Sequence, residues 1–212
     1  MARKWIGYIG VGSLMCAALG CGILYTRQAR LQQAISDKVL RFHVLANSDS
    51  EADQNLKLAV RDAVGSYMQE KLADVENLEE CELVVRQSLG EIEEAAAETI
   101  AENGYDYDVT AELEHTSFPV KNYGSYTFPA GDYEALRIVI GEGNGHNWWC
   151  VMYPNMCFSD SMYEVVDKEA GEKLRKVLTT EEYEKVLAEG DYQIRMKYFS
   201  WLNPYLEKLA EN

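Results

Sequence analysis

LRFHVLANSDSE, Leu40 to Glu51, joins a strand to the start of a helix and so decides the fold class. Leu40, Phe42, Val44 and Ala46 alternate with Arg41, His43 and Leu45, the period of a strand with one apolar face. Asn47 stops the strand. Ser48-Asp49-Ser50-Glu51 then reads as a capping box, with Ser48 accepting the third backbone N–H of a helix and Glu51 reaching back. That helix carries Leu56, Val60, Ala63, Val64, Tyr67 and Leu72 on one face. Asn77 and Glu80 repeat the box ahead of a second helix running to about Asn103. Its stripe is Cys81, Val85, Leu89, Ile92, Ala96 and Ile100, and Gly104 is its stop.

From Tyr105 the period changes from 3.6 to 2. Tyr107, Val109, Ala111 and Leu113 alternate with Asp108, Thr110, Glu112 and Glu114. A Tyr- and Pro-rich connection, Phe118 to Pro129, has room for another strand, and Tyr133 to Ile140 and Trp148 to Tyr153 read as strands either side of a Gly-rich turn at Gly141 to Gly145. Helical patterns return at Lys168 to Leu178 and Glu181 to Leu187, with Thr179 and Glu182 as a further capping box. A strand from Tyr192 to Tyr198 closes the pattern. The expectation is an α+β fold: paired helices packed on one face of a mostly antiparallel sheet, preceded by one N-terminal hydrophobic leader or anchor helix.

Gly145 to Phe158, GHNWWCVMYPNMCF, sets Cys150 and Cys157 symmetrically about Tyr153-Pro154. A hairpin folded there opposes Met152 with Asn155, Val151 with Met156, and Cys150 with Cys157, within disulfide reach. Two reduced, buried thiols are the alternative, and compartment decides between them. Arg3 and Lys4 precede 21 uncharged residues, Trp5 to Tyr25, long enough to span a bilayer as a signal peptide or an uncleaved anchor. Arg27, Arg30, Lys38 and Arg41 outnumber the two N-terminal cations, which by charge count favours a cytoplasmic C-terminus. The short basic start and the cysteine pair favour export instead. The expected organisation is therefore a leader or anchor at 1–26, a connection at 27–38 and one extracytoplasmic domain at 39–212.

Beyond residue 25 the chain has 18 Lys and Arg against 35 Asp and Glu, a formal −17, which argues against nucleic acid and anionic lipid as partners. Membrane contact is expected through the N-terminal segment alone, and no motif asks for a cofactor. Asp49, Glu51 and Asp53 resemble the start of a calcium loop, but Gln54 and Val60 stand where Gly and Glu are needed. His43, His115 and His146 lack metal-ligand spacing. A thiol hydrolase with Cys150 as nucleophile and His146 or His43 as base is one enzymatic alternative, which a disulfide would abolish. A wall-sugar binder stacking on Trp148, Trp149, Tyr123 and Tyr126 is another, although adjacent strand residues face opposite ways and one tryptophan belongs to the core. A protein-contact surface on the hairpin is the reading that survives both objections.

Leu40 to Asp49, then Asp53-Gln54, Leu56-Lys57 and Val60 to Val64, resemble the opening block of the stage II sporulation protein R family. Tyr123-Gly124, Pro129-Ala130-Gly131, Tyr133 to Arg137, and Gly141 through Cys150 to Cys157-Phe158 are similar to the family's remaining signature. Residues 65 to 105 and the tail after Phe158 carry composition rather than motif. The resemblance implies export from the forespore toward the space before the mother cell. It also implies activation of a membrane-embedded aspartic protease of the stage II sporulation protein GA type, which processes pro-sigma E, so the chain would be an activator and not a catalyst. Two contact patches are expected: Asn47, Asp49, Gln54, Lys57 and Arg61 at the strand-to-helix junction, and His146, Asn147, Trp148 and Trp149 on the hairpin. The bland reading of the first patch is a helix cap followed by a solvated i, i+4 pair.

Overall fold

In a computed structural model, described for residues 20–23, 25–156 and 168–187, the alternating segment becomes β1 (Leu40–Leu45) at the centre of a four-stranded sheet. On one side it pairs in parallel with β5 (Gly131–Ile140), and on the other it runs antiparallel to β6 (Asn147–Tyr153). β2 (Val109–Phe118) lies antiparallel to β5 at the far edge, and β3 (Lys121–Tyr123) with β4 (Tyr126–Phe128) forms a separate two-stranded ribbon. The fold is the expected mixture of helices and a mostly antiparallel sheet.

On one sheet face lie α2 (Glu51–Lys71), α3 (Leu78–Gln87) and α4 (Leu89–Glu102). Leu56, Val60, Val64 and Met68 of α2 and Ile92, Ala96 and Ile100 of α4 bury against Phe42, Val44, Leu136 and Ile138. Asn77 caps α3 by accepting the Glu80 N–H at 2.9 Å, and the Glu80 carboxylate returns to the Glu76 N–H. The long second helix expected from the sequence is two, broken at Ser88, whose N–H is shared between the carbonyls of Val84 and Val85. Gly104, at φ 83°, ends α4, and the Tyr105 N–H reaches back to the Ile100 carbonyl as in a Schellman motif. The cap of α2 is Ser50 and not Ser48, since the Ser50 hydroxyl accepts the Asp53 N–H at 3.1 Å.

The other face is covered as well, so β1 has no solvent side. Residues 25–36 form helix α1, and with the β3–β4 ribbon, α5 (Lys168–Val177) and α6 (Thr180–Leu187) they make a second core of Ile35, Phe118, Phe128, Tyr133, Val151, Leu174 and Val186. Lys38 clamps α6 through a 2.7 Å ion pair to Glu182, and the expected Thr179–Glu182 box is formed. Arg41 and His43, on the polar side of the alternation, are therefore buried.

After β6 the chain turns through a cis Tyr153-Pro154 bond, and the Met156 N–H bonds the Val151 carbonyl at 3.2 Å, the opposition expected of the hairpin. Cys150 is in a disulfide, while Cys21 and Cys81 are free. Cys157, its expected partner, lies outside the described residues, as do the strand at 192–198 and most of the hydrophobic leader. Among the described residues no helix is long and apolar enough to cross a membrane.

Candidate functional site

The two patches read from the sequence meet. β1 ends at Leu45, opposite Asn147, where the antiparallel β6 begins, so the β1–α2 junction and the Gly-rich turn share one end of the sheet. Asn47 ties them first. Its carbonyl accepts the Asn144 N–H, its side-chain oxygen accepts the Glu142 N–H at 3.0 Å, and its amide donates to Asp53 at 2.9 Å. Gly145 sits so close that a Cβ there would lie 2.2 Å from the Ser48 carbonyl oxygen, which requires glycine.

Asp49 and His146 form the exposed part of the site. The Asp49 carboxylate accepts the His146 backbone N–H at 2.6 Å and the ring Nδ1 at 2.5 Å, although the two side chains are 55% and 80% exposed. Hydrogen bonds from the His146 ring and backbone hold the Asp49 carboxyl below the usual carboxylate range. Asp53 lies beneath. It is buried, accepts from the hydroxyl of Ser48 at 2.5 Å and from Asn47, and these bonds keep its pKa low.

Lys57 and Arg61 are not the solvated i, i+4 pair that α2 alone suggests; they are 6% and 4% exposed. Lys57 Nζ donates to Gln54 Oε1 at 2.5 Å and to the His146 carbonyl at 3.0 Å, pinning the turn from below. Burial, reinforced by the neighbouring Arg61 charge, pushes its pKa down. Gln54 Nε2 in turn donates to the Ser48 carbonyl at 3.0 Å. The Arg61 guanidinium bonds Asp62 and lies 5.1 Å over the Trp148 ring, a cation–π contact worth about 1–2 kcal/mol where water is excluded. Trp148 meets Phe42 edge-on at 5.5 Å, on the helix-covered face.

Trp149 is elsewhere. Strand alternation turns it to the second face, where it stacks on His43 at 4.9 Å and meets Phe118 edge-on at 4.6 Å, with Lys121 Nζ 5.8 Å from its ring. Asn147 follows Trp149 to that face by the same alternation. Of the nine candidate contact residues, Trp149 and Asn147 are thus placed apart from the other seven. Burial of the His43 ring, then the Arg137 and Arg41 charges, drives its pKa to about 4.

Arg41 and Asp53 are not among the nine candidate contact residues read from the sequence. Arg41 is fully buried, its guanidinium among Phe118, Tyr133, Phe128 and Tyr123 at 4.4 to 5.7 Å. Its Nε donates to the Cys150 carbonyl and another nitrogen to the Tyr123 hydroxyl. The aromatic density of residues 118–133 is the signal that a cation was to be enclosed.

Cys150 is disulfide-bonded and on the face opposite His43, and among the described residues no hydroxyl or thiol is hydrogen-bonded to the His146 Nε2, so neither expected thiol dyad forms. Tyr123 and Tyr126 are engaged with Arg41 and Tyr183, not arrayed for stacking with the tryptophans.

The family model described as stage II sporulation protein R matches residues 36–163. Stage II sporulation protein R of Bacillus subtilis (strain 168) is 42% identical over 144 residues, covering 66% of this chain. The match spans 64% of that relative's length, somewhat under two thirds. No solved structure matches the chain.

Proposed function

This chain belongs to the stage II sporulation protein R family, and from that premise we propose that it is an exported sporulation signal whose junction surface activates a membrane-embedded aspartic protease. That protease, of the stage II sporulation protein GA type, then processes pro-sigma E in the mother cell. The observation that carries the reading is the convergence of Asp49, Gln54, Lys57, Arg61, His146 and Trp148 at one end of the sheet. A buried ammonium there holds the His146 carbonyl beneath an exposed carboxylate–imidazole pair, and a buried guanidinium lies over Trp148 beside it. Holding exposed groups in fixed geometry lowers the entropy lost on docking, which suits a surface meant to be recognised. Activation further requires that the signal bind the protease's active state more tightly than its resting state, since equal affinity shifts no population. Cys150, locked in a disulfide, suits an oxidising compartment and a non-catalytic role.

The test is pro-sigma E processing in sporulating cells that carry Asp49→Asn or His146→Ala. Both side chains are exposed and neither packs in a core, so the variants should melt with the parent while processing is lost. Undiminished processing in both would remove this surface from the activating contact.

A further inference from the structure

β2 is a ten-residue strand at the edge of the sheet, and its outward backbone is only partly used. The Ala111 N–H is taken by the Glu93 carboxylate at 2.9 Å, while the Asp108 carbonyl accepts the Gly141 N–H from the β5 side. Those two bonds fix the parity: residues 111, 113, 115 and 117 direct their N–H and C=O groups away from β5. Leu113, His115 and Ser117 have no backbone bond on that side among the described residues. An unpaired run of this kind is a template for another strand unless something covers it.

The side chains along the run specify what would fit. On the second face Glu112 and Glu114 flank the edge and share one guanidinium, Arg137, at 3.9 and 3.6 Å, so the strip stays negative. On the helix face Leu113 is half-buried against the first core. We propose that the outer edge of β2, Leu113 to Ser117, is a docking edge that takes an extended partner segment in which Lys or Arg alternates with apolar residues, added as a fifth strand. In such a segment the basic side chains lie beside Glu112 and Glu114 and the apolar ones continue the core past Leu113. A second copy of this chain is disfavoured as occupant, because self-pairing lines four carboxylates along one seam against two guanidinium groups. The inference is independent of the signalling reading, since it concerns a different surface and its test needs no protease.

The experiment is hydrogen exchange on the full-length protein in neutral detergent. The probe is a blocked seven-residue peptide alternating lysine and valine, compared with its glutamate–valine twin. The lysine peptide should slow exchange at the amides of Leu113, His115 and Ser117 in a saturable way, and the glutamate peptide should bind about ten-fold more weakly, as two cross-strand charge pairs warrant. His115→Pro, which removes one outward backbone donor and no backbone donor that faces β5, though it also removes the exposed imidazole's contact with Glu134, should abolish the protection while the β5 amides stay protected. The double variant Glu112→Lys, Glu114→Lys keeps the test decisive should the proline variant fail to fold, because it should reverse the peptide preference. Equal protection by the two peptides, protection that survives His115→Pro, or slowing at these amides on raising protein concentration without peptide would each overturn the proposal.

Discussion

Trp148 and Trp149 are neighbours in the chain and strangers in the fold. Trp148 lies under Arg61 at the end of the helix-covered face, a few ångströms from the Asp49–His146 pair's supporting residues. Trp149, half-buried like Trp148, packs against the second core, stacked on His43 and edge-on to Phe118. The contrast teaches that a conspicuous sequence pair is divided by strand parity: one tryptophan packs beside the β1–α2 junction and the other against the second core. The pairing with β1 sets which is which, because Trp148 sits opposite Val44 and Trp149 opposite His43.

Alanine at each position should break the contrast most visibly. Trp149→Ala opens a gap between His43 and Phe118, and Trp148→Ala one between Phe42 and Arg61; both indoles are half-buried, so each should cost about 3 kcal/mol in chemical denaturation. Place separates them: Trp148→Ala should speed exchange of the His146 amide, and Trp149→Ala should leave it as in the parent. Equal effects on that amide would mean that the two faces are not independent.

Acid should sharpen the same comparison, since only the second face holds a buried imidazole. His43 is neutral in the fold down to about pH 4, against 6.5 for the free side chain. The unfolded chain therefore takes up this proton first as pH falls. The stability linked to His43 is intact above 6.5 and falls progressively toward pH 4, by about 3 kcal/mol in all. His43→Phe should flatten that part of the pH–stability curve. A curve unchanged by the substitution would show that the imidazole is hydrated.

Gly145→Ala is the smaller perturbation and strikes the Trp148 side. The new methyl meets the Ser48 backbone, so the turn must shift, at about 1–3 kcal/mol, and the Lys57 bond to the His146 carbonyl should loosen with it. Faster exchange of the His146 amide, with the second core unaffected, is the expected signature in hydrogen exchange.

Much of this was legible in the residues, and the gaps have a common cause. The β1 alternation, the α2 and α4 stripes, the Asn77 and Thr179 caps and the Gly104 stop are local patterns, and the fold contains them all. What escaped is non-local. Nothing in residues 40–46 says that a ribbon from 121–128 and helices from 25–36 and 168–187 cover the polar side of the strand, so the burial of Arg41 and His43 cannot be read there. Lys57 and Arg61 read as a surface pair because the β6 turn that buries them lies about 90 residues away. The displacement of the cap from Ser48 to Ser50 has the same origin, since the Ser48 hydroxyl is drawn to Asp53 while its carbonyl binds Gln54. The union of the two contact patches rests on the β1–β6 register, which pairing sets and periodicity cannot.

The most direct test of the account is contact at the junction surface itself. A photoreactive phenylalanine analogue in place of His146, whose side chain is 80% exposed, should on illumination of sporulating cells capture the membrane-embedded aspartic protease. The same group in place of Leu83, 53% exposed on α3 toward the opposite end of the sheet, should not. Capture from position 83 and none from position 146 would contradict the assignment of this surface as the activating contact.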